Sequence, residues 1–296
     1  NGGSPPTPSQ IAGINGNSGG IGVSNGTIIV DTDEAVGGIN FSGSVRKIIT
    51  LEAGSSLTLH GTEIAGSTML IQNSGNQTFT LNGDGTLVLA ASGAIDIVNS
   101  NRGITLLSAI GETGGSRQIV KTGEGSLSFL NAPAAQSTFS GGVRVKAGRL
   151  SVNVSSTGVA NAPTAGPLGT GTLALENGSV FAYVGSSAGT LHNAISVEGD
   201  VSLGTGTETR SVTLVGNLDL NGETRAVTVE QEVVLSGTVV NGGLTKRGAS
   251  ELRLEGINTY TGKTTVEGGT LTLAGSGSIT ASSAIEVASG ATLAGA

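Results

Sequence analysis

Residues 243–254 read GLTKRGASELRL, and residues 258–273 read NTYTGKTTVEGGTLTL. Residues 119–129, IVKTGEGSLSF, and residues 137–152, STFSGGVRVKAGRLSV, say nearly the same earlier in the chain. Lys121, Gly123 and Leu127 recur 125 positions later as Lys246, Gly248 and Leu252. Phe139, Gly141, Val145, Gly148 and Leu150 recur 121 positions later as Tyr260, Gly262, Val266, Gly269 and Leu271. The two offsets place four extra residues between the halves of the first copy. Short alternating strands punctuated by glycine and repeated along a chain stack on one another. Such a chain builds an extended surface rather than one closed catalytic pocket.

The composition agrees. The 296 residues include 51 Gly, one Met, no Trp and no Cys, with 2% aromatic and 12% charged side chains. An average domain carries about 7% Gly and roughly 25% charge. Aliphatic residues nevertheless recur two apart along nearly the whole length. Examples are Leu57 and Leu59, Leu87 and Leu89, Leu173 and Leu175, Ile195 and Val197, Val212 and Leu214, Leu218 and Leu220, Val227 and Val229, and Leu252 and Leu254. Period two is the mark of a strand with one buried face, and disordered chains lack it. The net charge of −7, with no basic run, argues against nucleic acid as a partner. No apolar run reaches the roughly 18 residues of a membrane helix. Asn1 is not an initiator and no signal peptide follows it, so the chain reads as a processed product or a piece of a longer protein.

A looser pattern appears three times: aliphatic, any, aliphatic, then Gly three positions on, then an apolar residue. It falls on Ile49, Leu51, Gly54 and Leu57, on Leu173, Leu175, Gly178 and Phe181, and on Ile285, Val287, Gly290 and Leu293. A strand, a glycine corner and the next strand would write it, because Gly reaches positive φ without steric cost. The expected fold is all-β: a right-handed parallel β-helix of about 20 residues per coil. Its 12 to 15 coils would give a rod on the order of 60–70 Å. An antiparallel sandwich is the rival and would need many tight hairpins. Asn82-Gly83-Asp84-Gly85 and Asn221-Gly222 could serve as hairpins, and two or three such candidates are too few to build a whole sandwich. Residues 1–27, rich in Gly, Ser and Pro, are expected to be a tail and entry or cap segment. Residues 28–296 are expected to be one continuous β-helix carrying repeats at about 119–152 and 243–273. Asn161 to Pro167 is the expected extruded loop.

The second copy resembles the autotransporter-associated β-strand repeat, also called the passenger-associated transport repeat. The resemblance rests on Leu244, Lys246, Gly248, Leu252, Leu254, Asn258, Tyr260, Gly262, Thr264, Val266, Gly269 and Leu271. Ser250 stands where the family's second glycine would be, and in the first copy Phe139 replaces the tyrosine. Residues 167–179, PLGTGTLALENGS, are similar to the segment that commonly follows such a repeat. The resemblance implies a surface-displayed passenger of a type V secretion system in a Gram-negative bacterium. It implies a β-helix exported through an outer-membrane barrel that lies elsewhere in the full-length protein, with the repeat assisting folding and export.

No residue recommends itself as catalytic, cofactor-binding or metal-ligating. Asp31, Asp33 and Glu34 form the densest acidic cluster but lack the glycine-rich calcium loop, and read as a solvated strand edge. Asp84 reads as a turn residue. Arg144, Lys146 and Arg149, and likewise Lys246 and Arg247, offer an acidic glycan or lipid headgroup a landing place. The plainer reading is a solvated face with the stems lying on apolar surface. His60 and His192 are isolated, without zinc spacing, and no G-x-S-x-G elbow occurs. Tyr183, Tyr260 and the five Phe read as interior residues. Three functional classes follow. The first is a non-enzymatic stalk or adhesin that meets a surface glycan or host ligand. The second is a filament or sheath subunit self-associating through its β-helix ends. The third is a polysaccharide-active enzyme, against which the scarcity of charge and aromatics counts.

Overall fold

A computed structural model describes residues 11–14, 26–44, 46–64 and 66–295. These residues contain strands and turns and no helix. Each coil turns through three sides of a prism. The first side stacks strands such as Gly93–Ile97, Ile119–Thr122, Val143–Val145 and Leu173–Leu175. The second side is a twelve-stranded sheet from Thr27–Val30 to Ile285–Val287. The third side is a sheet of four strands, ending at Ala109–Glu112, and then one of six, beginning at Gly189–Leu191. Every described strand pairing is parallel except within two hairpins, Thr62–Ile64 with Ser67–Asn73 and Thr157–Val159 with Ala162–Ala165. The parallel β-helix is therefore the fold and the sandwich is excluded. Twelve rungs at the interstrand spacing make a rod on the order of 50–60 Å.

The aliphatic pairs point inward and stack in register. On the second side one column runs Ile28, Ile49, Leu81, Leu106, Phe129, Val152 and Tyr183, each opposite the next. All of these side chains are buried in one continuous core. Phe41 and Phe79 stack within it with ring centroids 3.6 Å apart. The outward positions between the aliphatics are mostly Thr, Ser and charged residues. Hydroxyls therefore supply much of the wetted face, and little charge is needed to hold it in water.

The corners use the glycines that the pattern marks. Gly54, Gly178 and Gly290 have φ of 84°, 78° and 83°. Asn82-Gly83 and Asn221-Gly222 are corners between sides rather than hairpins. Gly83, with φ 103°, links Phe79–Asn82 to Thr86–Leu89. Asn221 itself takes φ 53°.

The expected loop at 161–167 is also revised. The excursion is a hairpin over residues 157–165, and Pro167 and Leu168 already pack back into the body. It marks an interruption of the third side across residues 130–142 and 153–172. Serine hydroxyls serve the rung donors left there. Ser137 Oγ accepts from the Ile110 amide at 3.0 Å, Ser155 Oγ from Thr190 at 3.0 Å and Ser156 Oγ from His192 at 2.8 Å. Of the expected entry segment, residues 11–14 form a strand paired in parallel with Gly38–Phe41. Residues 1–10 and 15–25 lie outside the described residues.

Candidate functional site

The features that set this chain apart from a plain stack are its two repeats. Each is a pair of successive coils. In the first, Ile119 faces Val143, Lys121 faces Val145, and Leu127 faces Leu150. In the second, Leu244 faces Thr264, Lys246 faces Val266, and Leu252 faces Leu271. The residue-for-residue register is the same. The four extra residues of the first copy sit between Phe129 and Val143, in the irregular part of the third side, where Ala132, Pro133 and Ala134 bulge into solvent.

The repeats do not occupy the same sides of the prism. The first runs from the first side to the second, and the second runs from the second side to the third. The aromatic of the motif moves with it. Phe139 fills the interior against the third side, and Tyr260 fills it where the first side would continue; both are buried. Tyr260 donates to or accepts from Thr264 Oγ1 at 2.7 Å, and Thr264 Oγ1 meets Ser282 Oγ at 2.9 Å. The first copy carries Phe139 and Val143 at the matching positions, so hydroxyl is paired with hydroxyl and hydrocarbon with hydrocarbon.

The repeat's lysine overturns the solvated-face reading given to Lys246. Lys121 and Lys246 are both 0% exposed. Lys121 Nζ donates to the carbonyls of Thr122 at 2.7 Å, Gly123 at 2.5 Å and Ala147 at 3.1 Å. Lys246 Nζ donates to those of Gly248 at 2.7 Å, Ser250 at 2.5 Å and Gly268 at 2.9 Å. Each ammonium thus holds its own corner and the corner of the following coil. Burial pushes both down to about 8, opposed by the carboxylates of Asp96 and Glu124 around Lys121 and of Glu230 near Lys246. The signal in the sequence is parity. Lys121 lies two residues from Ile119 and Lys246 two from Leu244, on the inward phase of their strands.

The corner glycines leave room for this cage. A Cβ on Gly269, whose φ is 60°, would lie 2.6 Å from Lys246 Nζ and 2.5 Å from the Gly248 carbonyl. A Cβ on Gly148, with φ 69°, would lie 2.5 Å from the Gly125 carbonyl. Gly125 is itself held to glycine by the Ile97 side chain, which a Cβ there would meet at 2.1 Å. The second copy carries Ser250 at the matching place.

The other singled-out residues do not converge. Arg144 is spent on an ion-paired ladder along the outside. It reaches Glu176 at 3.0 Å and clasps Glu198 with both terminal nitrogens, one at 3.0 Å. Hydrogen bonds from Arg144 hold the Glu198 carboxyl below the usual carboxylate range. Lys146 is exposed, Arg149 donates to Ser151 Oγ at 2.9 Å, and Arg247 pairs with Glu267 at 2.6 Å. Asp33 accepts from Ser56 at 2.9 Å, and Asp31, Asp33 and Glu34 are exposed. Among the described residues no three His, Cys, Asp or Glu side chains are placed to share a metal ion. His192 Nδ1 meets Ser156 Oγ at 3.0 Å, at the base of the hairpin, and His60 is exposed. Asp84 is an exposed turn residue, while Tyr183 and the five Phe are interior. An open hollow of about 580 Å³ is lined by Asp219, Asn221, Glu223, Asn241 and Thr261. Its Asp219 Oδ1 already accepts from the Asn221 amide at 2.8 Å and Asn241 Nδ2 at 3.1 Å.

Comparison with known proteins points the same way as the repeat geometry. The family described as passenger-associated-transport repeat matches residues 119–152 and 244–273. The adhesin BmaC autotransporter of Brucella suis biovar 1 (strain 1330) is 31% identical over 266 residues, which is 84% of this chain and 7% of that protein. The autotransporter lipoprotein NalP of Neisseria meningitidis serogroup B is 61% identical over 41 residues, 14% of this chain and 4% of that protein. The aligned regions thus span under a tenth of the length of these curated relatives. No solved structure matches the chain.

Proposed function

We propose that this chain, whose two repeats match the passenger-associated-transport-repeat family and which is similar along most of its length to an autotransporter adhesin, forms a β-helical stalk of an adhesin displayed on the Gram-negative cell surface and that its repeats assist folding and export. The observation that supports this reading is the parallel second side, twelve strands stacked rung on rung from Thr27 to Val287, with two clasped coil pairs set against it. A stack made of neighbour contacts gains its stability one coil at a time. Each coil that closes outside the cell therefore opposes backward movement of the chain. The full-length protein is read as carrying an outer-membrane translocator barrel, the partner that such a passenger requires.

The rod is read as non-catalytic, and its ligand as a glycan or protein of another surface. Arg144 and Arg247, which would have served as anion contacts, are already paired with carboxylates. Contact with a ligand then falls to the long polar outer faces.

Surface display of the full-length protein tests the reading. Leu252 and Leu254 are fully buried in the second repeat. Replacing both with Asp should reduce surface exposure, scored by protease shaving of whole cells, at least tenfold. Normal display of the doubly substituted protein would overturn the export role.

A further inference from the structure

We propose that each repeat is a self-contained clasp joining two successive coils, pinned by its buried lysine and indifferent to which side of the rod it occupies. The inference concerns the folded rod and stands whether or not the repeats assist export. A lysine ammonium has three donors, and three carbonyls surround each of these two. In both copies one carbonyl is supplied by the lysine's own corner, Gly123 or Gly248. In both, another comes from the matching place on the next coil, Ala147 or Gly268. The bond to the next coil is what distinguishes a pin from a local corner brace.

Independence of side follows from the rotation between the copies. The first clasp joins the first and second sides, and the second joins the second and third. Their internal registers are nonetheless identical. Whatever the repeat encodes is therefore a relation between two coils, not a place in the prism. The aromatic plug moves round with the pin, as Phe139 and Tyr260 do.

Two neighbouring glycines make the claim specific. Gly269 lies under the ammonium, so a methyl group there would enter the cage. At Gly268 a methyl group would meet only the Gly248 backbone at 3.5 Å, an ordinary contact, and the first copy carries Ala147 at that place.

Amide hydrogen exchange read by mass spectrometry on the folded chain tests the clasp. Lys246→Met and Gly269→Ala should each speed exchange at least tenfold across residues 243–273, on both coils, and leave residues 119–152 unchanged. Gly268→Ala should exchange like the parent. Lys121→Met should show the reverse, loosening 119–152 alone. Unchanged protection of residues 264–273 in Lys246→Met would overturn the proposal, as would loss spread evenly over both repeats. The unaltered chain gives a second reading should a variant fail to fold. Under a lysine-acylating reagent, exposed Lys146 should react first, and Lys246 only as fast as the amides of residues 267–269 open. Reaction of Lys246 at the surface rate would equally refute it.

Discussion

A neutral amine offers two donors and a lone pair, and a third carbonyl beside it would face that lone pair. The cages around Lys121 and Lys246 therefore ask for the ammonium form, while burial works against it and brings both to about 8. At neutral pH both remain largely charged. In the unfolded chain a lysine titrates at about 10.4. The folded value is the lower one, so between roughly 8 and 10.4 the unfolded chain holds protons that the rod has released. Stability from these two groups accordingly rises with pH across that window. Below it the cost of burying the charge is present in full. Lysine-selective ¹³C NMR on the folded chain should show two resonances with midpoints near 8, absent in Lys121→Met and Lys246→Met respectively. Midpoints above 10 for this pair would show that the cage outweighs desolvation. The sequence held the clue, since both lysines keep step with an inward aliphatic two residues before. General expectation for lysine, a side chain that normally reaches for water, pointed the other way. The matched exchanges of Phe139 with Val143 for Tyr260 with Thr264 were equally present in the sequence. They become a pair only once a corner brings residues four apart together inside the rod.

Strands and corners were the most legible elements, because both are written locally. An aliphatic pair states which face is buried, and a glycine three positions on states where the chain must take positive φ. Gly54, Gly178 and Gly290 all do so. Counting sides was not legible, since no residue type distinguishes one side of the prism from another. The turn of the second repeat by one side appears only in the sheet pairing. The hairpin at 157–165 shows the same limit: its composition announces an excursion, but its strand pairing and its anchors are long-range. Its turn residue Asn161, at φ 64°, donates its amide to the His192 carbonyl at 2.9 Å, and its Oδ1 accepts from the Asn217 amide at 2.7 Å. Those partners lie near the surface, where water replaces them readily, and most of the hairpin is exposed. Shortening residues 158–164 to a two-residue turn should therefore cost no more than about 1 kcal/mol, the scale of a hydrogen bond or two with solvent substitutes. Denaturant unfolding would measure it. A loss of several kcal/mol would mean that the hairpin braces the coils it crosses.

Over the whole rod, stability is a sum of interfaces between neighbouring coils, and among the described residues each strand pairs only with strands of its own or adjoining coils. Such a rod need not unfold as one unit. The two repeats stand on either side of a plain stretch that includes Val212–Leu214, where Leu214 is buried between Leu191 below and Leu235 above. Leu214→Asp would place a carboxylate in that column without a partner, a local penalty on the order of 3–5 kcal/mol. In a compact domain the penalty would lower one shared transition. In a stack it weakens two interfaces and leaves the rest almost untouched, because each repeat is held by its own pin and its own core. Hydrogen exchange through a denaturant series should then separate into two transitions, with residues 119–152 and 243–273 losing protection at different concentrations. The parent should show the two segments closer together. A single coincident transition in Leu214→Asp would mean that cooperativity runs the length of the rod, and that the repeats strengthen a continuous unit instead of dividing it into clasped sections.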